Sequence, residues 1–332
     1  MLASHDFIQI LNENGVDFFT GVPDSLLEDF LACLFEKTPA TQHIIAANEG
    51  NAIALAAGYH LATKKVGLVY MQNSGLGNAV NPLTSLMDPA VYSLPVLLLV
   101  GWRGQPGVPD EPQHVTQGKI TEDLLRTLGI SYQILPHELD AARTVVAQAV
   151  HTCRQQNAPY ALLVQKKTFS PHRRQLAAPQ ENLLSREEAL HCVMEHTTTS
   201  DVIVSTTGKL SRELFTYREN RQEGHGRDFL TVGSMGHASQ IALGIALNKQ
   251  DMRVVCLDGD GAVIMHLGAL AIIGCLKPRN FWHIVFNNGA HDSVGGQPTV
   301  GQKIDLPAIA KGCGYSFVAR ASSSNDIAHC LK

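Results

Sequence analysis

The stretch of residues 258–297 constrains this chain more than any other part of its sequence. A β-type run at 253–257 leads into Asp258-Gly259-Asp260-Gly261, and an apolar segment with helical spacing follows from about Ala262 to Gly274. A second β-type run at 281–286 ends in Asn287-Asn288-Gly289. These patterns predict a strand, a helix and a second strand, with a carboxylate and a carboxamide placed at the ends of the two strands.

The residue types at these two strand ends indicate an anion and metal site. In open α/β sheets, ligands bind at the carboxyl ends of the strands. Asp260 and Asn288 offer the oxygen ligands that Mg²⁺ prefers and commonly shares with a phosphate. Gly259 and Gly261 allow close approach of the backbone, and the helix expected to start near Ala262 offers free N–H groups to an anion. The pattern predicts a site for a magnesium-bound diphosphate; the alternative is a solvated strand-to-helix turn with unrelated asparagines.

The overall composition indicates a globular protein without a nucleic-acid or membrane partner. The 332 residues are 45% hydrophobic and 17% charged, which suffices for two domains with separate cores. The net charge of −4 gives no global attraction to nucleic acid or to acidic membranes. The N-terminus lacks the pattern of a secretory leader, no apolar run reaches about 18 residues, and no CxxC pair occurs among the seven cysteines. We therefore expect a cytoplasmic enzyme with reduced thiols.

Alternating strand-like and helix-like segments predict the fold class. Both halves of the chain show this alternation, which is typical of α/β domains with doubly wound parallel sheets. An aperiodic stretch at 169–185 predicts a linker between a first domain, 1–168, and a second, 186–332. The segment 101–114 is too long and too rich in Pro and Gly for a simple connection, so we expect a functional loop there.

The sequence GDG followed by NN, each after an apolar strand, resembles the cofactor motif of the thiamine-diphosphate-dependent 2-oxo-acid decarboxylases. The resemblance implies that Asp260, Asn288 and the backbone carbonyl of Ala290 hold Mg²⁺, and that Gly259 and Gly261 border the diphosphate. The continuation HDSVGGQPT is most similar to the phosphonopyruvate decarboxylase branch, with sulfopyruvate decarboxylases next.

The family resemblance also has consequences for domains and assembly. It implies that 1–168 binds the pyrimidine of the cofactor, that 186–332 binds the diphosphate and Mg²⁺, and that the central domain of larger relatives is missing. Because the family completes its sites between subunits, a homodimer or larger homo-oligomer is implied. The family's second domain normally continues beyond the region matched by 323–332, so a C-terminal truncation is also an expectation.

Glu49 is the main catalytic candidate of the first half. It lies between a predicted strand at 43–47 and an Ala-rich helix, where a carboxylate favoured by the helix dipole is an equally good explanation. Its setting, NEGNAIALAAGY, resembles the segment carrying the family's glutamate, which bonds the aminopyrimidine ring and promotes deprotonation of the thiazolium carbon. An apolar pocket would raise the pKa of such a carboxyl group and keep a proton available.

Other site candidates carry less specific signals. The resemblance places Gly233, Ser234 and Met235 beside the pyrimidine, and places Leu214, after Gly208, as the bulky residue that bends the cofactor; ordinary packing is the alternative for both. Asp24 and Ser25 match, one position out of register, a turn that carries an active-site acid in pyruvate decarboxylases. A second anionic group on the substrate would need cationic or N–H donors. The candidates are Arg103, His114, Lys119, Lys209, Arg212 and His291, of which Arg103, His114 and His291 stand in expected loops at strand ends.

The resemblance implies a lyase that removes CO₂ from 3-phosphonopyruvate to give phosphonoacetaldehyde, with thiamine diphosphate and Mg²⁺ as cofactors and a small 2-oxo acid as the only partner besides its own copies. Sulfopyruvate decarboxylation and a catalytically inactive cofactor-binding subunit remain the alternatives. A nicotinamide dehydrogenase is disfavoured, because Gly75-Leu76-Gly77 lacks the third glycine of the dinucleotide motif.

Overall fold

A computed structural model describes residues 1–172 and 183–332 of the chain. Within these residues the chain divides into two compact units: unit 1 holds 1–172 with 294–297, and unit 2 holds 183–293 with 298–332. Part of the predicted linker, 173–182, lies outside the described residues. Among the helices described, none combines the length and the apolar character needed to cross a membrane.

Unit 1 contains a parallel sheet of six strands flanked by helices. Its strands are β1 (Phe19–Gly21), β2 (His43–Ile45), β3 (Leu68–Gln72), β4 (Leu97–Gly101), β5 (Ser131–Ile134) and β6 (Tyr160–Val164). Its helices are α1 (Ser4–Glu13), α2 (Glu28–Lys37), α3 (Glu49–Thr63), α4 (Leu76–Pro82), α5 (Pro112–Thr127) and α6 (Leu139–Gln156). The strand order is β2-β1-β3-β4-β6-β5, so the predicted doubly wound α/β architecture is confirmed here.

The sheet of unit 1 is covered on both faces. Strand β4 is buried along its whole length, which is typical of an unbroken apolar strand in a parallel sheet. One face packs against α1, α2 and α6, with Phe7 and Phe30 at its centre, and the other packs against α3, α4 and α5. Phe169 belongs to the first of these cores, because it is 4% exposed and its ring centroid lies 5.3 Å from that of Phe7. Unit 1 therefore extends past the boundary at 168 that the sequence suggested.

Unit 2 contains a second parallel sheet, of four strands. Its main strands are β7 (Val202–Ser205), β8 (Asp228–Leu230), β9 (Val254–Gly259) and β10 (Phe281–Phe286), in the order β10-β9-β7-β8. The two-residue strand β11 (Ala290–His291) also belongs to unit 2, and the boundary between the units falls within the two-residue strand β12 (Gln297–Pro298). The helices are α7 (Arg186–Met194), α8 (Lys209–Asn220), α9 (Ala238–Asn248), α10 (Asp260–Met265), α11 (Ala269–Leu276), α12 (Leu306–Gly312) and α13 (Ser324–Cys330). A second α/β unit is thus also confirmed.

Three local predictions differ from the structure. The helix expected from about 262 to 274 consists of α10 and α11, because His266 leaves the helical conformation at φ −130° and ψ 51°. The loop expected at 101–114 ends at Glu111, since Pro112 occupies the first turn of α5. The polar sequence QNSGLGN at 72–78 predicts a turn after a strand, but it begins a helix instead, with a 3₁₀ turn at Asn73–Gly75 leading into α4.

Candidate active site

Glu49 is a buried acid of unit 1 at the start of a helix. It occupies the first turn of α3, where Asn48 caps the helix by accepting a hydrogen bond from the Asn51 N–H at 2.9 Å. The Glu49 side chain is 6% exposed, and its Oε2 accepts a hydrogen bond from Asn78 Nδ2 at 2.8 Å. Burial raises the pKa of the Glu49 carboxyl group, against the opposing effect of the Asn78 hydrogen bond.

Gly75 makes room for the Glu49 carboxyl group. A Cβ atom at position 75 would lie 2.6 Å from Glu49 Cγ and 2.7 Å from Cδ, distances that real Cβ contacts essentially never show. Any residue with a side chain at position 75 would therefore displace the carboxyl group. The 3₁₀ turn after β3 and the first turn of α3 hold Glu49 between them.

Asp24 is a second buried acid, placed after β1. It is fully buried; its Oδ1 accepts from Gln72 Nε2 at 2.7 Å and its Oδ2 from the Leu26 N–H at 3.0 Å. Burial raises the pKa of the Asp24 carboxyl group above its ordinary value. With these bonds Asp24 caps the 3₁₀ turn at Ser25–Leu27, so its structural role is evident from the geometry alone.

Arg103, after β4, is held by three hydrogen bonds. Its Nε and Nη2 both donate to the carboxylate of Asp110, and its Nη1 donates to Ser25 Oγ at 2.7 Å. The guanidinium keeps the pKa of Asp110 well below its usual range. His114 stands in the first turn of α5 rather than in a loop, and burial together with the charge of Arg103 lowers its pKa.

In unit 2, Asp260 begins α10 directly after β9. It is 2% exposed, and its Oδ2 accepts a hydrogen bond from Thr299 Oγ1. Its carboxyl group also accepts from the backbone N–H groups of Gly261 and Asn288, which lower its pKa, but burial is the larger effect and raises it overall. The GDG turn and the turn at Asn288 are therefore in contact. This is expected because β9 and β10 are neighbouring parallel strands in which Gly259 pairs with Phe286.

The turn after β10 and its continuation surround Asp260. Asn288 Oδ1 accepts from the Ala290 N–H at 3.1 Å, and the N–H of Thr299 donates to the carbonyl of Gly289 at 2.9 Å. His291 lies against Gly261, where a Cβ atom would be 2.9 Å from its ring Cε1. Burial lowers the pKa of His291 to about 4, so the ring is neutral at physiological pH.

The family of the chain follows from comparison with known proteins. Residues 1–126 match the thiamine pyrophosphate enzyme N-terminal TPP binding domain, and residues 206–332 match the C-terminal TPP binding domain of the same enzymes. A phosphonopyruvate decarboxylase of Streptomyces viridochromogenes is 36% identical over 100% of this chain and 85% of its own length. This chain belongs to the thiamine-diphosphate enzyme family.

Two further relatives indicate which branch of the family this chain is similar to. A phosphonopyruvate decarboxylase of Streptomyces hygroscopicus is 35% identical over 100% of this chain and 84% of its own length. A sulfopyruvate decarboxylase of Methanosarcina acetivorans is 27% identical over 96% of this chain and 84% of its own length. The family and branch inferred from GDG, NN and HDSVGGQPT are thus confirmed.

As a thiamine-diphosphate enzyme, the chain presents residues that fit the diphosphate end of the cofactor. Asp260, Asn288 and the Ala290 carbonyl supply oxygen donors of the kind that Mg²⁺ prefers. The hydroxyl of Thr206, after β7, is buried without a hydrogen-bond partner among the described residues, which suits a ligand acceptor at these strand ends. Gly208, at φ 104°, approaches Ser293 so closely that a Cβ atom would lie 2.5 Å from Ser293 Oγ.

The segment 233–237 packs against the GDG helix. Ser234 and Gly236 have positive φ angles of 51° and 83°, and a Cβ atom at Gly236 would be 3.0 Å from the carbonyl of Ala262. Gly233 and Met235 are half-buried in this turn, before α9 begins at Ala238. The structure therefore brings the predicted 233–235 segment to the same end of the sheet as Asp260.

Leu214 is the predicted site residue that the structure places elsewhere. It is 0% exposed and packs in the core of unit 2 with Leu210, Val255 and Leu257. The helical spacing of α8 directs it onto the sheet, so its bulk fills the core of unit 2. This burial favours the packing explanation that the sequence left open for Leu214.

Several residues at these sites carried no recognisable sequence signal. Asn78 and Gly75 contact the Glu49 side chain, Thr299 donates to Asp260, and the Thr206 hydroxyl is buried without a partner among the described residues. Thr299 belongs to the HDSVGGQPT segment, and Gly75 and Asn78 belong to the polar segment 72–78, but neither segment indicated these contacts. Asn78 and Gly75 are functional candidates because they contact Glu49, which is distant in sequence, and Thr206 is one because its buried hydroxyl has no partner among the described residues.

Proposed function

We propose that this chain removes CO₂ from 3-phosphonopyruvate to give phosphonoacetaldehyde, with thiamine diphosphate and Mg²⁺ bound. The observation that carries the proposal is the presence of a buried Glu49, with a raised pKa and a hydrogen bond from Asn78, in a chain 36% identical over its whole length to a phosphonopyruvate decarboxylase. An inactive subunit would have no need of this acid.

The residues of the chain have separable roles in the reaction. Glu49 would exchange a proton with the pyrimidine end of the cofactor, and the hydrogen bond from Asn78 Nδ2 to its Oε2 would hold the carboxyl group in place. Asp260, Asn288 and the Ala290 carbonyl would hold Mg²⁺, and Thr299 orients the carboxylate of Asp260. When bound, thiamine diphosphate supplies the nucleophilic carbon and the electron sink for decarboxylation. In the net reaction the bond between the carboxyl carbon and the keto carbon breaks, and the keto carbon gains a proton.

We also propose the assembly and the remaining site residues that the resemblance implied. A homodimer or larger homo-oligomer is the active form, which light scattering of the purified chain measures directly. Asp24, Ser25, Arg103 and His114 contribute to the substrate side in unit 1, and His291 does so in unit 2. His291 is neutral, so it serves as a hydrogen-bond donor or acceptor rather than as a cation.

The test measures release of CO₂ and aldehyde from phosphonopyruvate, sulfopyruvate and pyruvate, each with and without thiamine diphosphate and Mg²⁺. Cofactor-dependent turnover with the highest kcat/KM on phosphonopyruvate supports the proposal. A preference for sulfopyruvate keeps the chemistry but replaces the substrate, in line with the sulfopyruvate decarboxylase relative. Cofactor binding without turnover of any 2-oxo acid would refute the proposal that the chain is a decarboxylase.

A further inference from the structure

A small cavity opens in unit 1 at the carboxyl ends of β4 and β6. Its volume is about 210 Å³, and its lining includes Ser25, Trp102, Arg103, Asp110 and Lys166. Pockets for drug-sized ligands usually span roughly 300–1,000 Å³, so this cavity suits a smaller molecule or one end of it. Ligands of parallel α/β sheets bind at this edge.

The Arg103 side of the cavity is rigid. Asn73 holds the Arg103 backbone through both of its side-chain atoms, with Nδ2 donating to the Arg103 carbonyl at 2.8 Å and Oδ1 accepting from its N–H at 3.2 Å. The indole of Trp102 donates to the carbonyl of Gly118 at 2.9 Å. The Asp110 carboxylate then fixes the plane of the guanidinium by accepting from its Nε at 2.8 Å and from its Nη2. Such preorganisation lowers the cost of ordering a site on binding.

Hydrogen-bond donors remain available in the cavity. Three of the five N–H donors of Arg103 are used in bonds to Asp110 and Ser25 within the described residues, which leaves one on each Nη atom. Because Ser25 Oγ accepts from Arg103 Nη1, its own O–H is free to donate to a ligand. Arg103 and Ser25 can therefore both donate hydrogen bonds to a ligand, and neither side chain carries a negative charge that would repel an anion.

Lys166 decides the charge of the cavity. The charges of Arg103 and Asp110 compensate one another, while Lys166, just after β6, has no carboxylate within ion-pair distance in the described part of the chain. The charged groups of the lining therefore sum to one positive charge. A net cation beside preorganised N–H and O–H donors is a setting for a tetrahedral oxyanion.

We propose that Lys166, together with Arg103 and the hydroxyl of Ser25, binds the second anionic group of the 2-oxo acid, the phosphonate. The inference rests on the proposed decarboxylase function and assigns the residue that selects for a substrate with two anionic ends. Lys166 contributes the charge, Arg103 the directional N–H donors and Ser25 a third donor. Pyruvate, which lacks the second anion, gains nothing from this subsite.

The experiment compares Lys166→Gln with Lys167→Gln in the full chain with cofactors bound. Lys167 is the neighbouring exposed lysine and does not line the cavity, so it is the matched control for loss of one surface charge. The readout is the ratio of kcat/KM on phosphonopyruvate to kcat/KM on pyruvate. We expect Lys166→Gln to lower this ratio about ten- to a hundredfold, the usual effect of losing a hydrogen bond to a charged group. Lys166→Arg should restore most of it, and methylphosphonate should inhibit the wild type competitively but inhibit Lys166→Gln at least tenfold more weakly.

The outcomes separate this inference from the proposed function. If the wild type turns over no 2-oxo acid, the decarboxylase proposal is wrong, and the proposed phosphonate subsite is wrong as well. If the wild type prefers phosphonopyruvate and Lys166→Gln keeps the wild-type ratio, the function stands and the subsite is wrong. Equal losses in the Lys166→Gln and Lys167→Gln variants would also overturn it, because they would indicate a general effect of surface charge. Thermal unfolding of each variant shows whether it is folded, so that a lower kcat/KM is not caused by misfolding.

Discussion

The fit between Gly75 and Glu49 gives the sharpest single prediction. Gly75 has φ −68° and ψ −17°, a conformation open to every residue, so Gly75→Ala introduces no backbone strain. Its new Cβ atom, however, would lie 2.6 Å from Glu49 Cγ. The main chain of Glu49 is fixed in the first turn of α3, so its side chain must rotate and lose the 2.8 Å hydrogen bond from Asn78.

The expected loss of folding stability is estimated from the separate effects of this rearrangement. The lost hydrogen bond costs about 0.5–1.5 kcal/mol and the displaced rotamer a similar amount. Replacing glycine stabilises the folded chain by about 0.4–1 kcal/mol through the unfolded state. We therefore expect Gly75→Ala to lower the free energy of unfolding by about 1–2 kcal/mol. The effect on proton transfer should be larger, because general acid–base groups contribute about 10²–10⁴-fold and act only when positioned.

The assay is exchange of the thiazolium C2 proton of bound thiamine diphosphate into heavy water, followed by NMR at equal cofactor occupancy. Gly77→Ala is the matched control: it lies in α4 two residues on, and nothing stands within 4 Å of the Cβ atom it would add. We expect C2 exchange about 10²-fold slower in Gly75→Ala and unchanged in Gly77→Ala. Equal exchange rates in the two variants would refute the positioning of Glu49 by Gly75.

Three further predictions address other parts of the chain. Glu49→Gln should keep cofactor affinity and lose about 10²–10⁴-fold in kcat, and turnover near that of the wild type would remove Glu49 from the proton path. Asp260→Ala should lose Mg²⁺-dependent cofactor binding, measured by quenching of tryptophan fluorescence; unchanged affinity would place the metal elsewhere. Burial lowers the pKa of His43 to about 4, so its stabilising contribution is complete above about pH 6.5 and is lost as the pH falls towards 4, on the order of 3 kcal/mol in all. Urea unfolding between pH 4 and 7 should show a shallower pH dependence for His43→Gln than for the wild type, and parallel curves would contradict the assignment.

The residues at the strand ends of unit 2 show which features of the site could be predicted from sequence patterns. The order strand, GDG, helix, strand, NN located Asp260 and Asn288 correctly at neighbouring strand ends, because β9 and β10 pair in parallel and both patterns are local. The break at His266 between α10 and α11 escaped prediction, since the residues on both sides are apolar and helical in spacing. Periodicity indicates which residues face the core but not where a helix is interrupted.

Leu214 and Lys166 show what local patterns leave open. Leu214 was placed at the cofactor by its distance from Gly208, but α8 packs it into the core of unit 2. Lys166 is one of two adjacent lysines after β6, and nothing in the sequence distinguishes it from Lys167. It lines the cavity of Arg103 because β4 and β6 are neighbours in the sheet although β5 comes between them in the chain.

The sequence by itself determined the two parallel α/β sheets, the family, and the acids Glu49 and Asp260, because alternating apolar runs, caps and glycine turns act over a few residues. Only the tertiary structure decided which groups surround those acids: Gly75 and Asn78 around Glu49, and Thr299 on Asp260. These contacts join residues 26 to 39 positions apart. They depend on strand order and register, which follow from the packing of the whole unit and not from any local pattern.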